Sequence, residues 1–297
     1  RLNRSEHYRQ RLEVYKDQND ALMRKIHLDM HRAHLEIQHK NELLRKSLAL
    51  ANEIQLNLLP QSNPSNPHFD IAGRSIFCSA TGGDYYDFIP RSDENRTQLS
   101  VAVGDVTGHG VEAALLMTTA RALLRSRALM PGSMAQIIGD VNQHLTQDLN
   151  ESGRFITLFL LTIDPVTCSL NWVRAGHDPA ICYDPATDTF EELRGSGLAL
   201  GVDLNWHYEE NRKSGLTDGQ VIFLGTDGIW ETHDPRGNMF GKASVHDIIR
   251  SHAADDAEHI VKTVIDNLND FRKTPEPEDD ITQIVIKVKE NGNPCHR

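Results

Sequence analysis

Residues 5–59 contain neither glycine nor proline, and this long segment is the feature that most constrains the fold of the chain. It is rich in Leu, Glu, Gln, Lys, Arg and Ala, which are good helix formers. Apolar residues recur every seven positions along it, at Met23, Met30, Ile37, Leu44, Ala51 and Leu58. A seven-residue apolar period is typical of a coiled coil.

The coiled-coil pattern is imperfect. Ile26, Ala33 and Ile54 form a second apolar stripe three residues after members of the first, but Lys40 and Ser47 interrupt it. The flaws favour a weak or switchable coiled coil. The alternative is one long amphipathic helix that packs on its own domain.

Pro60 ends the helical segment, because proline cannot continue a helix, and residues 61–67 have the composition of a linker. We therefore predict a helical or coiled-coil linker at 1–59 and a globular domain at 60–297. Apolar alternation bounded by turn residues predicts strands at 69–79, 98–105, 155–163, 168–175, 179–183, 220–225 and 281–289. Helices are predicted at 110–129, 133–150, 244–252 and 256–272. Because the strands come in adjacent runs, the fold class is α+β, with antiparallel sheet and helices on its faces.

Composition excludes several classes of protein. The 297 residues are 39% hydrophobic and 25% charged, as in ordinary globular domains, and no apolar run is long enough for a transmembrane helix. The net charge is −11, and the acidic excess lies after residue 59, which argues against nucleic acid as the main partner. The chain begins with Arg1 and shows no signal peptide, so we expect a piece of a longer protein. Its four cysteines show neither CxxC nor zinc spacing, which predicts a reduced, cytoplasmic setting.

Four short acidic motifs point to the chemistry, at residues 82–87, 104–110, 226–228 and 278–282. Each places a carboxylate at the end of a predicted strand or in a turn, mostly beside glycine. Converging carboxylates repel one another unless a cation neutralises them. Hard divalent cations prefer oxygen ligands, and Mg²⁺ suits phosphate chemistry. The pattern therefore predicts a metal-dependent enzyme of phosphoryl chemistry.

The motifs are not equally informative. Asp105 lies too far before the helix predicted near residue 110 to be a simple helix cap, which favours a metal ligand. Asp227 alone fits an ordinary Asp-Gly turn equally well. His109 can assist proton transfer or be a structural histidine of a glycine turn, and His177 can brace a loop. No Walker A, GxGxxG or GxSxG motif is present, so a water activated by two cations is the economical nucleophile.

In their order, the motifs resemble those of the metal-dependent protein phosphatases (PPM, or 2C-type), and most closely the bacterial branch of RsbU and SpoIIE. The similarity extends over roughly residues 52–289. It is carried by Ile54-Gln55, Leu58-Leu59-Pro60, Gly82-Gly83-Asp84-Tyr85-Tyr86-Asp87, Gly104-Asp105-Val106-Thr107-Gly108-His109-Gly110, Ala175-Gly176-His177, Thr226-Asp227-Gly228 and Asp279-Asp280-Ile281-Thr282.

The resemblance implies an αββα sandwich of two antiparallel sheets, with two Mn²⁺ or Mg²⁺ ions at one sheet edge. It implies catalytic metal ligands at Asp84, Asp105, Asp227 and Asp279, with Asp105 bridging. The carbonyl of Val106 would add a ligand, and Asp280 is retained in the set beside the preferred Asp279. Gly83, His109, His177 and Gly228 would lie around these ligands.

The resemblance also implies a serine/threonine protein phosphatase that serves as the output of a sensor. Its substrate would be the phosphoserine or phosphothreonine of a STAS-type anti-sigma-factor antagonist, and its helical linker would form a homodimer. Membrane attachment would come only through an upstream sensor region. Two alternatives stay open: a pseudo-phosphatase that acts as a protein-binding module, and a metal-dependent nucleotide enzyme. Intact acids at all four motifs count against the first, and the missing phosphate loop counts against the second.

Overall fold

The computed structural model describes residues 2–93, 96–149 and 153–289. It has two compact units, Arg1–Ala51 and Asn52–Arg297. The first unit belongs to the long helix α1 (Leu2–Leu58), which confirms the predicted N-terminal helix. Its apolar seam is exposed, with Met30, Ile37 and Leu44 at 67%, 57% and 58% accessibility. None of the helices in the described ranges combines the length and apolarity that crossing a membrane requires.

The second unit contains two antiparallel sheets of five strands each. Its elements, in chain order, are β1 (Phe69–Ile76), β2 (Tyr85–Asp93), β3 (Arg96–Val106), α2 (Val111–Ala128), α3 (Met134–Leu149), β4 (Ile156–Asp164), β5 (Ser169–Ala175), β6 (Ala180–Asp184), β7 (Thr189–Leu193), β8 (Asn211–Ser214), β9 (Val221–Gly225), α4 (Asp227–Trp230), α5 (Gly241–His252), α6 (Ala257–Arg272) and β10 (Ile281–Val288). The first sheet has the order β1-β10-β9-β6-β7 and the second has the order β2-β3-β4-β5-β8.

Helices cover the outer face of each sheet. Helices α2 and α3 pack together on the second sheet, while α6 packs on β1 and β10 of the first sheet with α5 beside it. Strand β10 shows how the sequence produces these layers. Ile284 and Ile286 point into the core shared with the second sheet, whereas Ile281 and Val285 point into the core beneath α5 and α6. Because both faces of the strand are covered, apolar residues lie on both of them, as at Ile284, Val285 and Ile286. The predicted α+β class and αββα sandwich are confirmed.

The structure also contains elements that the sequence patterns did not predict. The predicted elements did not include strands β2, β7 and β8 or the short helix α4. The helix predicted at 133–150 corresponds to α3, and its predicted last residue, 150, lies outside the described residues. All three strands lie at sheet edges, where a short or polar strand is tolerated because one side needs no partner. Pro90 within β2 is compatible with that edge position.

The cysteines only partly follow the prediction of a reduced chain. Cys78 and Cys182 are free, whereas Cys168 is disulfide-bonded, which the sequence spacing did not predict. Cys295 lies outside the described residues.

Candidate metal centre

The four acidic motifs converge at one end of the two sheets. Asp84 directly precedes β2, and Asp105 lies near the end of β3; the pairing of Tyr85 with Gly104 makes these two acids neighbours across the second sheet. Asp227 begins α4 directly after β9, and Asp279 lies just before β10, in the first sheet. We call Asp84, Asp105, Asp227 and Asp279 the acidic cluster.

Asp84 is the most buried member of the cluster, with 1% of its surface exposed. The hydroxyl of Thr226 donates a hydrogen bond of 2.8 Å to its Oδ2 atom, and the same hydroxyl accepts the amide of Thr282 at 3.0 Å. Burial, followed by the charges of Asp105 and Asp280, raises the pKa of Asp84 well above its ordinary value. Asp84 is therefore a buried carboxyl group that strongly favours either a proton or a cation.

Asp105 is partly exposed and faces a cavity of about 150 Å³ that Asp227 also lines. Its pKa is raised to about 8, first by burial and then by the charges of Asp227, Asp279 and Asp280. Two acids outside the predicted motifs, Asp178 and Glu231, line the same cavity. Their signal in the sequence was weak: Glu231 is one helical turn after Asp227, and Asp178 directly follows His177.

Asp227 and Asp279 form the more accessible part of the cluster, since Asp227 is partly exposed and Asp279 is exposed. The pKa of Asp227 is raised by burial and then by the charge of Asp279. The pKa of Asp279 is also raised by burial, while nearby His109 lowers it. His109 itself is exposed, so it stands at the rim beside Asp279.

Asp280 has a different environment from Asp279, although the two are adjacent. It is buried, and its Oδ1 accepts the amide of Cys78 at 2.8 Å. Its Oδ2 accepts the amides of Gly83 at 2.7 Å and Asp84 at 3.4 Å. Both oxygens are thus engaged by the backbone of the segment that ends at Asp84. This carboxylate therefore holds the loop in place.

Two glycines allow the backbone to approach closely around Asp280. A Cβ atom on Gly228 would overlap the carbonyl oxygen of Asp280, and one on Gly83 would lie 2.9 Å from the carbonyl oxygen of Val106. Glycine is required at both positions for this packing. The second contact also places the Val106 carbonyl beside the loop that carries Asp84.

His177 is a buried residue of the cavity wall, and its hydrogen bonds reach the cluster only indirectly. Its Nδ1 atom forms a 2.8 Å hydrogen bond with the hydroxyl of Thr157, and the guanidinium of Arg174 donates to its carbonyl oxygen. Burial lowers the pKa of His177 to about 4, so its ring is neutral at neutral pH. These contacts support the predicted role of His177 as a loop brace.

Two further residues of the motifs organise the surroundings. Gln55, near the end of α1, is buried; its amide donates to the carbonyl of Gly82 at 2.6 Å and accepts the amide of Gly82 at 3.1 Å. Asp87 forms an ion pair with Arg125 at 2.6 Å and accepts the hydroxyl of Tyr85 at 2.8 Å. Asp87 thus anchors α2 to β2 and is satisfied away from the cluster.

The donor set of the acidic cluster fits hard divalent cations. All of its side-chain donors are carboxylate oxygens, and within the described part of the chain no Lys or Arg forms an ion pair with them. Burial, followed by the charges of neighbouring acids, raises the pKa of each of the four carboxyl groups. No three of these acids, among the described residues, bring their oxygens as close as a compact three-ligand site would. Such spacing suits ions that keep several water ligands, as Mg²⁺ does.

Comparisons with known proteins agree with this architecture. The family model described as Stage II sporulation protein E (SpoIIE) matches residues 95–289. The phosphoserine phosphatase RsbU of Bacillus subtilis (strain 168) is 27% identical over 249 residues, which cover 83% of this chain and 71% of RsbU. The solved SiaA-PP2C domain of Pseudomonas aeruginosa has a TM-score of 0.70 at 24% identity, covering 84% of this chain and 98% of that domain. RsbX, solved in complex with magnesium, has a TM-score of 0.56 at 17% identity, covering 77% of this chain and 99% of RsbX.

The fold is that of phosphatase domains of the PP2C type. The chain belongs to the SpoIIE family. The predicted resemblance to the RsbU and SpoIIE branch is confirmed, as is the predicted class of enzyme, a protein serine/threonine phosphatase. The family is metal-dependent.

Proposed function

We infer that this domain hydrolyses phosphoserine or phosphothreonine on a partner protein, with two divalent cations, Mn²⁺ or Mg²⁺, held by the acidic cluster. The observation that carries the proposal is the convergence of Asp84, Asp105, Asp227 and Asp279, from both sheets, without a Lys or Arg ion pair among the described residues. Such a cluster is costly unless cations occupy it.

In this proposal the residues have distinct tasks. Asp105, at the centre of the cluster, would hold the cations together with Asp84, Asp227 and Asp279. The carbonyl of Val106 would add a neutral ligand. When bound, the cations supply Lewis acidity for the water that attacks phosphorus and for the charge that develops on the phosphoryl oxygens.

The surrounding residues position these ligands. Asp280 fixes the backbone on both sides of Gly83, so we assign it to loop placement rather than to metal binding. Thr226 orients the Asp84 carboxylate. Gly83, Gly228 and His177 shape the loops around the cluster, and His109 provides an exposed imidazole at its rim.

The substrate class and the assembly are proposed on the family membership and on α1. We propose a phosphorylated STAS-domain protein as the substrate, because the branch predicted from the motifs typically acts on such proteins. Residues 1–59 would be the linker from an upstream sensor and 60–297 the phosphatase domain, placed in the cytoplasm. The exposed apolar seam of α1 supports a homodimer through this helix. Any membrane attachment would lie in the upstream sensor.

Phosphate release from p-nitrophenyl phosphate and from a phosphothreonine peptide tests the core of the proposal. We expect wild-type turnover to require added Mn²⁺ or Mg²⁺, and Asp105→Ala to lose it by at least about 100-fold, since it removes the central ligand. Asp266→Ala, a change of an exposed acid on α6, is the control and should retain turnover. A folded wild-type chain without turnover at any metal concentration, which still binds a phosphorylated STAS protein, would instead support the protein-binding alternative.

A further inference from the structure

A second group of metal-ligating side chains lies at the corner between α5 and α6. Helix α5 ends at His252, and α6 begins at Ala257, with Asp256 as its N-cap. His252, Asp255 and His259 each offer one ligand atom, and these atoms lie within 4.8 Å of one another. Within the described residues, this is the one group of three or more His, Cys, Asp or Glu side chains with such proximity.

The distances within this corner suit a single ion after small side-chain adjustments. The Nδ1 atom of His252 lies 2.7 Å, and the Nε2 atom of His259 lies 3.6 Å, from Oδ2 of Asp255. The two imidazole ring centres are 5.4 Å apart. Ligand atoms on a tetrahedral zinc ion are about 3.3 Å apart, given bond lengths near 2.0 Å. The ligand atoms of His252 and Asp255 must therefore move slightly apart, and those of His259 and Asp255 must move slightly closer. Rotation of these side chains can provide both movements.

The backbone that carries these side chains is firmly held. Lys287 of β10 donates to the carbonyls of Ala254 at 3.0 Å and Asp255 at 2.8 Å. The carboxylate of Asp70 on β1 accepts the amide of Ala257 at 2.7 Å. The turn and the first residue of α6 are thus fixed to two strands. This preorganisation lowers the entropic cost of gathering three ligands.

The chemistry of this corner differs from that of the acidic cluster. Two imidazoles and one carboxylate favour Zn²⁺ and similar transition-metal ions, whereas all-oxygen sites favour Mg²⁺ and Mn²⁺. The side chains are 33%, 45% and 52% exposed for His252, Asp255 and His259, so an ion here would keep water ligands. The corner is also distant from the acidic cluster. Lys287, which binds the backbone of the corner, lies seven residues from Asp280, which is roughly 20 Å at the rise of a strand.

We propose that His252, Asp255 and His259 form a binding site for a transition-metal dication, with Zn²⁺ as its best fit, separate from the catalytic cations. A bound ion joins the end of α5 to the first turn of α6 and stabilises this helical layer. The proposal depends only on the α5–α6 corner and stands whether or not the acidic cluster acts as we infer.

The test uses the full chain, freed of metal and then supplied with excess Mg²⁺ to occupy oxygen-only sites. Zn²⁺ is titrated against a chromophoric chelator, and each histidine is followed by its protection from diethyl pyrocarbonate, mapped by mass spectrometry. The residue-resolved measurement separates this corner from the exposed histidines of α1. His252→Asn and His259→Asn are compared with His144→Asn, which changes an exposed histidine of α3 outside the group.

We expect one equivalent of Zn²⁺ to protect His252 and His259 together. Each of the two corner variants should weaken binding by about 10-fold or more, and His144→Asn should bind as the wild type does. Thermal unfolding followed with and without Zn²⁺ should show a stabilisation that the corner variants lose. Unprotected His252 and His259 at saturating Zn²⁺, or unchanged affinity in both corner variants, would overturn the proposal and leave an ordinary His–Asp ion pair.

Discussion

Removing one acid from the cluster should stabilise the metal-free protein. Asp105→Asn keeps the shape of the side chain but removes a charge that neighbouring carboxylates oppose. In the absence of divalent cations, burial and the charges of Asp227, Asp279 and Asp280 raise the pKa of Asp105 from 3.8 to about 8. The charged form is therefore unfavourable in the native state, and the variant avoids its cost.

The size and sign of the effect follow from this pKa. Asp105 binds a proton more tightly in the native protein than in the unfolded chain. The stability that this proton contributes is therefore fully present below about pH 4 and is lost as the pH rises towards 8. At neutral pH this loss is about 4 kcal/mol, at about 1.4 kcal/mol for each tenfold difference in proton affinity. Because burial also raises the pKa of Asp84, which remains in the variant, part of the loss persists, and we expect a gain of roughly 2 to 4 kcal/mol.

Urea denaturation in EDTA measures this gain, with Trp172, Trp206 and Trp230 as fluorescent reporters. Asp105→Asn should be more stable than the wild type at neutral pH, and the difference should shrink at mildly acidic pH. Asp266→Asn, at an exposed site, should change the free energy of unfolding by less than about 0.5 kcal/mol.

Added Mn²⁺ should reduce the advantage of the variant. The wild type gains about 2.7 kcal/mol when the free ion is 100 times its Kd, and the variant should gain less because it lacks the proposed central ligand. Two results would refute the account of mutual repulsion. One is an Asp105→Asn variant that is no more stable than the wild type in EDTA, and the other is a difference in the free energy of unfolding that does not change with pH.

Three further predictions concern the surroundings of the cluster and α1. Gln55→Ala leaves both polar groups of Gly82 unpaired and should cost about 2 to 4 kcal/mol in urea denaturation; a cost similar to that of exposed Glu53→Ala would contradict this. Asp279→Asn should weaken Mn²⁺ binding in calorimetry and raise metal-free stability, because burial and the charge of Asp280 raise the pKa of Asp279, whereas Asp280→Asn should lower that stability by about 1 to 3 kcal/mol. Equal behaviour of the two variants would disprove their separate tasks. Lysine at Met30, Ile37 and Leu44 should give monomers with reduced turnover, measured by light scattering and phosphate release, and unchanged mass and rate would exclude the coiled-coil switch.

The fold was predictable where a strand is central and apolar. Strands β4, β9 and β10 are covered on both faces, and each is rich in β-branched and other apolar residues that the sequence displays. The strands that the patterns missed lie at or beside sheet edges, and their sequences need not be apolar. In β7 the burial alternates along Thr189–Leu193 with only the last residue fully buried, and β8 has no buried residue at all. Their strand state comes from hydrogen bonds to neighbours, which the local sequence does not display.

The sequence motifs predicted which segments form the candidate site, but they did not predict which acid of each motif faces the cluster. The sequence places Asp279 beside Asp280 and Asp84 near Asp87, and alternation alone does not say which acid of each pair faces the cluster. The structure separates them by their partners: Asp280 accepts backbone amides, and Asp87 pairs with Arg125. An acid that is already satisfied by amides or a guanidinium is a poor candidate for metal, because binding would first have to break those bonds.

The loop at Gly82 and Gly83 shows why such tasks require the whole fold. Gln55 binds both polar groups of Gly82, and Asp280 binds the amide of Gly83 from the opposite end of the sequence. Asp84 follows directly, so its position is set by two side chains that lie far from it in the chain. Neither Gln55 nor Asp280 needs to touch a cation to matter for the site. Their hydrogen bonds, rather than the acidic motif itself, determine where the Asp84 carboxylate is placed.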